Sequence, residues 1–440
     1  MTKTLLRASK ILTLDDDDHL FAPGCLLLED DRIQDVGPSS RFDSVDADIE
    51  LDLEGRLVMP GLVNAHTHSP MILFRGLSEG HSLLTWEGWY NAIRVWEEVM
   101  DADMVSPAVL VSCAEMIRTG TTCFADQYFF MDRIVPAVRQ SGLRAGLAYG
   151  IVEMGDAESR VREMASAREF LESIQDEPRL KGWVGPHAFF VDNSPEAIEL
   201  ELELAARFDT GLHIHLATGG EEDAHCREYY GRSAVEQMAS LGVLDHRIIA
   251  AHCITVPEED FETLAAGNFS AVIAASACMR AGAGIAPLKA MRAAGINTAV
   301  GTDNVTNNNS YDMFNEMQTV AKLMSSRERE PGAISAIDIL KMSTLGGAEA
   351  LGLGDEIGSL ERGKKADLIT LDLTTIGWSP TGGQDLYTAL VYAVSGMHVQ
   401  DVMVDGAWLL RNTEWMTIDH AAVCADLEEA FSELKTRKPA

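Results

Sequence analysis

Between residues 62 and 301, eight short apolar runs alternate with longer amphipathic segments. The runs cover residues 62–65, 121–125, 144–151, 182–186, 212–216, 248–251, 271–275 and 298–301. Helix-like segments lie between them, among them residues 104–119, 131–141, 194–208, 233–241, 258–266 and 288–294. Eight strand–helix units predict an α/β fold of the (β/α)8 TIM-barrel type, whose strands are continuously apolar because helices cover the parallel sheet. A doubly wound open sheet is the alternative, but no GxGxxG turn follows any of the runs.

Strand-and-turn patterns flank the predicted barrel on both sides. Before it, residues 4–11, 25–29, 32–36 and 49–53 are separated by Asp, Gly and Pro clusters, and a similar rhythm returns after residue 353. We therefore predict a smaller β-sandwich domain that is built from both chain ends and interrupted by the barrel. The predicted parts are residues 1–57, the barrel at 58–355, and residues 356–440 with a last helix near 420–434.

The composition is that of a globular protein with a large core. Hydrophobic residues make up 46% of the chain, the mean hydropathy is -0.01, and no apolar run approaches the roughly 18 residues of a membrane span. The formal net charge of -33 leaves no basic surface for phosphates, so neither nucleic acid nor a membrane is an expected partner. Seven scattered cysteines without CxxC pairs and the lack of a recognisable secretion signal are typical of a reducing cytoplasm.

Histidines and one aspartate stand at the ends of the apolar runs, where a barrel places its active site. His66 and His68 end the first run. Because alternate residues of a strand point the same way, both imidazoles aim at one point. His215, His252 and Asp303 end three further runs. Imidazoles with one carboxylate suit zinc, iron or cobalt, and an open position lets bound water ionise near neutral pH.

Each of these residues also has a purely structural interpretation. His213 shares its strand parity with His215, so either could face the barrel interior. His252 could bond a backbone carbonyl in the core, and Asp303 could cap a helix or a turn. Five such residues at strand ends together favour a metal site over these alternatives.

Short motifs rich in glycine and metal-ligand residues run along almost the whole chain. They are PGLVNAHTH at residues 60–68, GTT at 120–122, GPHA at 185–188, HIH at 213–215, AHC at 251–253, GIAP at 284–287, GTDN at 301–304, NNSYDM at 308–313 and IGSLERGKKADL at 357–368. In this order they resemble the amidohydrolase superfamily, in the branch that contains s-triazine chlorohydrolases and aminohydrolases and nucleoside deaminases.

The resemblance implies a role for each residue at the strand ends. The implied ligands of one divalent metal ion per subunit are His66, His68, His215 and Asp303, with zinc foremost and cobalt, iron or manganese as alternatives. His252 would hold the attacking water or the oxyanion, and Asp303 would also take the water's proton. Binuclear relatives carry a carboxylated lysine at the end of the fourth strand, where this chain has Gly-Pro-His at 185–187. Members of the family usually pair, which implies a homodimer or larger homo-oligomer acting on a small molecule.

The chain departs from relatives that deaminate or dechlorinate heteroaromatic rings. Those relatives carry a ring-protonating glutamate three residues after the fifth-strand histidine, where this chain has Thr218, a hydroxyl without useful acidity near neutral pH. Glu221 and Glu222 follow, but the spacing predicts that they lie well along the next loop. Tyr149 replaces an arginine of nucleoside deaminases, and Cys278 stands where a Ser-Asn pair is usual.

Aromatic and methionine side chains surround these positions and could form either an apolar pocket mouth or core packing. They are Met71, Trp86, Trp89, Phe129, Phe130, Phe189 and Phe190. The residues predicted to contact substrate are Trp86, Tyr149, His187, Thr218 and Cys278.

Loss of the ring-protonating glutamate favours attack on a carbonyl carbon. We predict a mononuclear metal-dependent amidohydrolase that cleaves the C–N or C–S bond of a small, apolar urea, carbamate, thiocarbamate or amide, because such substrates need no ring protonation. The chain is similar in this respect to phenylurea and thiocarbamate hydrolases. The alternative is an aminohydrolase or chlorohydrolase of an s-triazine, pterin or purine ring. A metal-binding scaffold without catalysis is a third interpretation, although decay of function is not expected to spare every ligand.

Overall fold

The computed structural model describes residues 1–380 and 383–437, except for the side chain of Trp86. Its strands are β1 (Lys3–Leu12), β2 (Leu20–Phe21), β3 (Gly24–Glu29), β4 (Arg32–Pro38), β5 (Ile49–Pro60), β6 (Leu62–Thr67), β7 (Thr121–Tyr128), β8 (Arg144–Ile151), β9 (Leu180–Pro186), β10 (Leu212–Leu216), β11 (Ile248–His252), β12 (Phe269–Ile273), β13 (Asn297–Val300), β14 (Leu368–Asp372), β15 (Val399–Val404), β16 (Ala407–Arg411) and β17 (Glu414–Trp415). Its helices are α1 (Trp86–Trp89), α2 (Val95–Glu97), α3 (Ala102–Arg118), α4 (Met131–Ser141), α5 (Ala157–Ile174), α6 (Pro195–Arg207), α7 (Glu221–Tyr230), α8 (Ala234–Ser240), α9 (Phe261–Ala266), α10 (Ala275–Ala281), α11 (Leu288–Ala293), α12 (Met313–Glu328), α13 (Ala336–Met342), α14 (Leu345–Ala350), α15 (Leu386–Tyr392) and α16 (His420–Thr436). None of the helices in these described ranges is long and apolar enough to cross a membrane.

Eight parallel strands, β6 to β13, lie side by side in chain order. Each of them overlaps one of the apolar runs, so the predicted (β/α)8 barrel is confirmed. Every residue of β10, β11 and β12 is buried, as expected of parallel strands that are covered by helices on the outside and by the barrel core on the inside.

The barrel closes where the last strand meets the first. Within the described residues β13 does not join the hydrogen-bonded ladder of β6. Instead, the Asn64 side chain accepts a hydrogen bond from the Thr302 backbone N–H (2.9 Å) and donates one to the Thr302 hydroxyl (2.8 Å). The Asp303 N–H donates to the His66 carbonyl at 2.9 Å. These hydrogen bonds place Asp303, three residues after the end of β13, beside the end of β6.

Trp183 and mostly small apolar side chains fill the barrel interior. Its core consists of Val63, Ala65, Cys123, Ala125, Ala148, Trp183, Ile249, Val272 and Ala299, joined by Ala348, Ala350 and Leu351 of the α14 region. Gly346 and Gly347 of α14 approach Thr298 and Val63 at the strand starts so closely that a Cβ atom would clash. Helix α14 therefore seals one end of the barrel, and the strand ends that carry the histidines lie at the other.

The remaining strands form one mixed sheet of nine strands from both chain ends. Its order is β17-β16-β15-β14-β5-β1-β3-β4, with β2 paired to β1. The chain ends meet where β14 runs antiparallel to β5, with Leu368 opposite Pro60. The smaller β domain built from both ends is confirmed, as one continuous sheet where a β-sandwich was predicted. The domain boundaries at 57 and 355, the homo-oligomeric state and the cytoplasmic location stay predictions.

A buried ion-pair cluster joins the barrel to this sheet. Arg144 at the start of β8 is 2% exposed. Its guanidinium donates to Asp367 at 2.9 and 3.2 Å and to Asp405 at 2.5 Å. Burial lowers the pKa of Arg144, but the two facing carboxylates outweigh burial and raise the pKa above its ordinary value.

Replacing Asp367 with asparagine should lower the free energy of unfolding by about 3 kcal/mol, because the buried guanidinium loses a counter-charge. Chemical denaturation followed by circular dichroism measures this change. The control is Glu172→Gln, which breaks the exposed Arg207–Glu172 pair at 3.2 Å and should cost about 0.5 kcal/mol. Equal losses in the two variants would contradict a special role for the buried cluster.

Candidate active site

Four histidines and one aspartate meet at the C-terminal ends of the barrel strands. His66 and His68 lie at the end of β6, His215 lies on β10, His252 ends β11, and Asp303 follows β13. All five are buried. Their ligand atoms form two overlapping groups, each spanning no more than 4.8 Å, namely His66 with His215 and His252, and His66 with His68 and Asp303. The structure thus brings the five predicted residues together.

The distances between these atoms fit a single metal ion. His68 Nε2 lies 3.2 Å from His215 Nε2 and 3.5 Å from Asp303 Oδ1, and His66 Nε2 lies 3.7 Å from the same oxygen. Ligands held about 2.0–2.2 Å from a zinc ion in tetrahedral geometry stand about 3.3–3.6 Å apart. His66 Nε2, His252 Nε2 and Asp303 Oδ2 are buried without a hydrogen-bond partner among the described residues. Because buried polar atoms normally have partners, the donor set fits a divalent cation.

Hydrogen bonds to backbone carbonyls orient two of the rings. His68 Nδ1 donates to the Gln127 carbonyl at 2.6 Å, and His215 Nδ1 donates to the His187 carbonyl at 2.9 Å. With Nδ1 protonated, each ring presents an unprotonated Nε2 to the centre, and the bond behind it increases the basicity of that nitrogen.

His213 orients a third ring from below. Its Nε2 lies 2.8 Å from His66 Nδ1, and its side chain is 1% exposed. One nitrogen of the pair must donate, and donation by His66 leaves His66 Nε2 free to face the centre. Strand parity alone left His213 and His215 as alternatives. In the structure the two histidines differ in their position along β10. His213 lies two residues before His215, deeper in the barrel, and contacts the Nδ1 side of the His66 ring, which faces away from the centre.

Burial keeps these imidazoles neutral. It lowers the pKa of His68 and His252 to about 4, and it lowers the pKa of His66 and His215 well below the ordinary value, with the neighbouring rings adding to the effect. Neutral imidazole is the form that binds metal. Burial raises the pKa of Asp303, a shift that a bound cation opposes.

Asp126 is a positioning residue that the sequence analysis did not single out. It lies buried on β7, and its carboxylate accepts hydrogen bonds from the Thr67 hydroxyl (2.7 Å) and from the Ser69 backbone N–H and hydroxyl (2.6 Å each). These bonds hold the residues on both sides of His68. An acidic residue directly after an apolar run was the available signal.

A cavity lies over the strand ends. Its apolar lining includes Met71, Leu83, Leu84, Trp89, Phe129, Val152 and Val191. Its polar lining includes Glu97, Gln127, His187, Asp192, Thr218, Glu221, Glu222 and Asn304. For Phe189 and Phe190 the sequence left pocket mouth and core packing open. Both lie in the hydrophobic core, and Phe130 packs against that core.

Two of the predicted substrate-contact residues, His187 and Thr218, line the cavity. His187 Nδ1 bonds to Asp192 Oδ2 at 2.5 Å, and its ring centroid lies 4.7 Å from that of His215. Burial lowers the pKa of His187, but the Asp192 carboxylate outweighs burial and raises the pKa above its ordinary value. His187 therefore carries a proton more readily than a free histidine does.

The other predicted substrate contacts lie elsewhere. Cys278 stands behind His252, with its Sγ 3.7 Å from His252 Nδ1. Tyr149 turns away from the cavity and donates its hydroxyl to Glu163 on α5 at 2.8 Å. The side chain of Trp86 lies outside the described residues. These positions do not support substrate contact by Tyr149 or Cys278. The roles assigned to all the site residues stay predictions.

Glu221 and Glu222 line the cavity, so the expectation that they lie well along a loop is wrong. Only residues 217–220 separate β10 from α7, and Ala217 and Gly220 adopt left-handed φ angles of 54° and 89°. The chain therefore reverses at once, and α7 begins beside the strand end. Glu222 accepts a hydrogen bond from the Ala217 N–H at 3.0 Å. Residue spacing does not reveal such a reversal, although the pair of glycines at 219–220 was a signal.

His213→Phe should lower the affinity for zinc by about 10- to 100-fold, because His66 loses the hydrogen bond that orients it. Competition with a chelator, followed by metal analysis, measures the affinity. His213→Gln keeps a polar side chain behind His66 and should retain more of the affinity. Wild-type affinity in the Phe variant would show that His213 does not orient a ligand.

The sequence is similar to those of known proteins. The model of the amidohydrolase family matches residues 57–409. The chain is 35% identical over 442 residues to 5'-deoxyadenosine deaminase of Methanosarcina barkeri, a match that covers 99% of each chain. It is 36% identical over 434 residues to 5-methylthioadenosine/S-adenosylhomocysteine deaminase of Moorella thermoacetica, with 97% of this chain and 98% of that one covered.

Solved structures share the fold. An adenosine deaminase from Xanthomonas campestris with bound zinc gives a TM-score of 0.92 at 30% identity, with 98% of each chain covered. Atrazine chlorohydrolase from Arthrobacter aurescens with zinc gives a TM-score of 0.87 at 22% identity, with 97% of this chain and 100% of that one covered. A divalent metal site is supported, and the predicted enzyme class, a hydrolase of carbon–nitrogen bonds other than peptide bonds, is confirmed. The chain belongs to the amidohydrolase family.

Proposed function

We propose that this protein deaminates adenine nucleosides that lack a charged 5' group, such as 5'-deoxyadenosine or 5'-methylthioadenosine. The observation that carries the proposal is the similarity, over almost the whole chain, to a 5'-deoxyadenosine deaminase at 35% identity and to a 5-methylthioadenosine/S-adenosylhomocysteine deaminase at 36% identity. It favours the heteroaromatic alternative over hydrolysis of a urea, carbamate or thiocarbamate, which was the main prediction from the sequence.

The case for acyl chemistry rested on the absence of an acid at Thr218. That case weakens because Glu221 and Glu222 line the same cavity as Thr218. A dimethylphenylurea has a single N–H donor, so it would leave Glu97 Oε2 or Glu222 Oε2 without a hydrogen bond, which costs free energy.

Glu97 offers a binding group for a sugar. It lines the cavity and is 8% exposed. Its Oε1 accepts a hydrogen bond from the Tyr128 hydroxyl at 2.9 Å. Its Oε2 is buried without a hydrogen-bond partner, although the Arg94 guanidinium forms an ion pair with it at 3.6 Å. Ribose hydroxyls are donors of the kind that this oxygen lacks, whereas a phenylurea has no hydroxyl. Apolar side chains such as Met71 and Phe129 suit the purine ring and an uncharged 5' group.

The residues at the strand ends have different roles in the proposed reaction. The ligands of one divalent metal ion, zinc in our proposal, would be His66, His68, His215 and Asp303. When bound, such an ion lowers the pKa of a water molecule at the centre. Asp303 takes a proton from the attacking water and later passes it to the leaving amine. His252, whose Nε2 has no partner, holds the hydroxyl group as it adds to the ring carbon.

The zinc-loaded protein should release ammonia from adenosine and its 5'-deoxy and 5'-methylthio analogues at least about 100-fold faster than it cleaves dimethylphenylureas, carbamates or thiocarbamates, because polar sites discriminate strongly against substrates that leave their groups unpaired. Ammonia release and mass spectrometry of the products measure both reactions.

The control is Asp303→Asn, which should lose nearly all deaminase activity while its circular dichroism spectrum stays unchanged. Release of aniline or a secondary amine, with no ammonia from any nucleoside, would overturn the proposed function in favour of acyl hydrolysis.

Glu97→Gln should raise KM for adenosine about tenfold, because a hydrogen bond to a charged group contributes about 1.5 kcal/mol. The 2',3'-dideoxy analogue, which lacks the 2' and 3' hydroxyls but keeps the 5' hydroxyl, should show little change. Steady-state kinetics with the two substrates separate the effects. An equal rise in KM for both would argue against sugar binding by Glu97.

A further inference from the structure

Deamination of a 6-aminopurine needs a proton on ring atom N1. When water adds to C6, negative charge would otherwise build up on the ring, and a positioned acid prevents this. Thr218 has no proton of useful acidity for this step. If the protein is a deaminase, another acid must face the cavity.

Besides Asp303, the carboxyl side chains at the cavity are Glu97, Asp192, Glu221 and Glu222. Asp192 is held by His187 Nδ1 at 2.5 Å and by the Ala188 N–H at 3.0 Å. Glu221 is exposed, where water competes for its hydrogen bonds. Glu97 already accepts a hydrogen bond from the Tyr128 hydroxyl at 2.9 Å and forms an ion pair with Arg94 at 3.6 Å.

Glu222 is held beside the end of β10, next to Thr218 in the lining of the cavity. Its side chain is buried, with 2% exposed. Oε1 accepts the hydrogen bond from the Ala217 N–H at 3.0 Å, and Oε2 is buried without a hydrogen-bond partner. Because Ala217 directly precedes Thr218, this hydrogen bond holds the Glu222 carboxyl group at the end of β10, where Thr218 replaces the expected glutamate. One oxygen is anchored, and the other is left for a partner that the protein itself does not supply.

We propose that Glu222 is the catalytic acid that protonates the purine ring, in place of the residue missing at position 218. The inference rests on the proposed deaminase function. The proposed acid lies in the first turn of α7, whereas the expected glutamate would lie just after the end of β10.

The proton transfers balance over the reaction. In the addition step, the water oxygen bonds to C6, one water proton passes to the Asp303 carboxylate, and Glu222 gives its proton to N1. In the second step, the hydroxyl proton on C6 passes back to Glu222 and Asp303 protonates the amino group. The C6–N bond then breaks and ammonia leaves. The products are the 6-oxopurine nucleoside and ammonia, with both carboxyl groups returned to their initial protonation states.

The electrostatic surroundings of Glu222 suit this role. Burial raises the pKa of Glu222 to about 7, and the negative charges of Glu221 and Asp192 add to the effect, against the opposing hydrogen bonds from the backbone N–H groups of Glu222 and Ala217. A general acid is most effective when its pKa lies near the working pH.

Glu222→Gln tests the inference directly, since glutamine can still accept the hydrogen bond from Ala217 but cannot donate an acidic proton. The variant should lose about 100- to 10,000-fold in kcat for 5'-deoxyadenosine, while KM and zinc content stay close to wild type. The control on the same helix is Glu228→Gln, an exposed position that should leave kcat unchanged. Adding Thr218→Glu to Glu222→Gln should restore at least a tenth of the lost activity, because it supplies an acid from β10.

Wild-type kcat in Glu222→Gln would overturn the inference, and so would loss of zinc together with activity that Thr218→Glu does not restore. If Glu222→Gln does not fold, Glu222→Asp decides: a fall in kcat of at least tenfold supports the inference, because the shortened acid no longer reaches the ring, and wild-type kcat overturns it. The wild-type protein is assayed first with the nucleoside panel. Failure there rejects the proposed deaminase function, whereas deamination by both wild type and Glu222→Gln rejects only the role of Glu222.

Discussion

The junction between the first and last barrel strands is the contact on which the site depends. Because β13 and β6 are joined by the Asn64 and Thr302 side chains and by the Asp303 N–H bond to His66, the carboxylate and the first imidazole lie next to each other. Were the sheet open, Asp303 would lie at the opposite edge from His66. A closed barrel therefore does more than bury apolar surface, since it makes residues separated by most of the chain into neighbours.

Left-handed backbone conformations concentrate at this end of the barrel. His252 and Asp303 have φ angles of 76° and 58°, and Ala217 has 54°. Such angles are unfavourable for residues other than glycine and persist only where the surrounding structure enforces them. At these three positions the strain turns the chain sharply at the strand ends. It aims the side chains of His252 and Asp303 inward and lets α7 begin close to β10. The same backbone conformation therefore serves one proposed metal ligand, the residue proposed to hold the attacking hydroxyl group, and the proposed acid.

Features that depend on local pattern could be predicted from the sequence, and features that depend on distant contacts could not. Strands β8 and β10 have the bounds of their apolar runs, and the strand-end histidines meet because parallel strands end on one side of a barrel. The pairing of Arg144 with Asp367, 223 residues apart, has no local signature. The return of Glu222 depends on two left-handed residues, and the outward turn of Tyr149 depends on a partner on α5.

The charges of the cavity argue for an uncharged substrate. Glu97, Asp192, Glu222 and Asp303 contribute carboxyl groups, and the described lining residues include no lysine or arginine. Asp192 already pairs with His187, and Asp303 is a proposed metal ligand. A 5'-phosphate would therefore lose its hydration without gaining a lysine or arginine partner from this lining, which is costly, whereas a 5'-deoxy or 5'-thioether group brings no charge. The same excess of carboxyl groups favours the protonated form of a buried acid. The excess of carboxyl groups would thus both exclude nucleotides and keep Glu222 protonated, so that it can donate a proton to the purine ring.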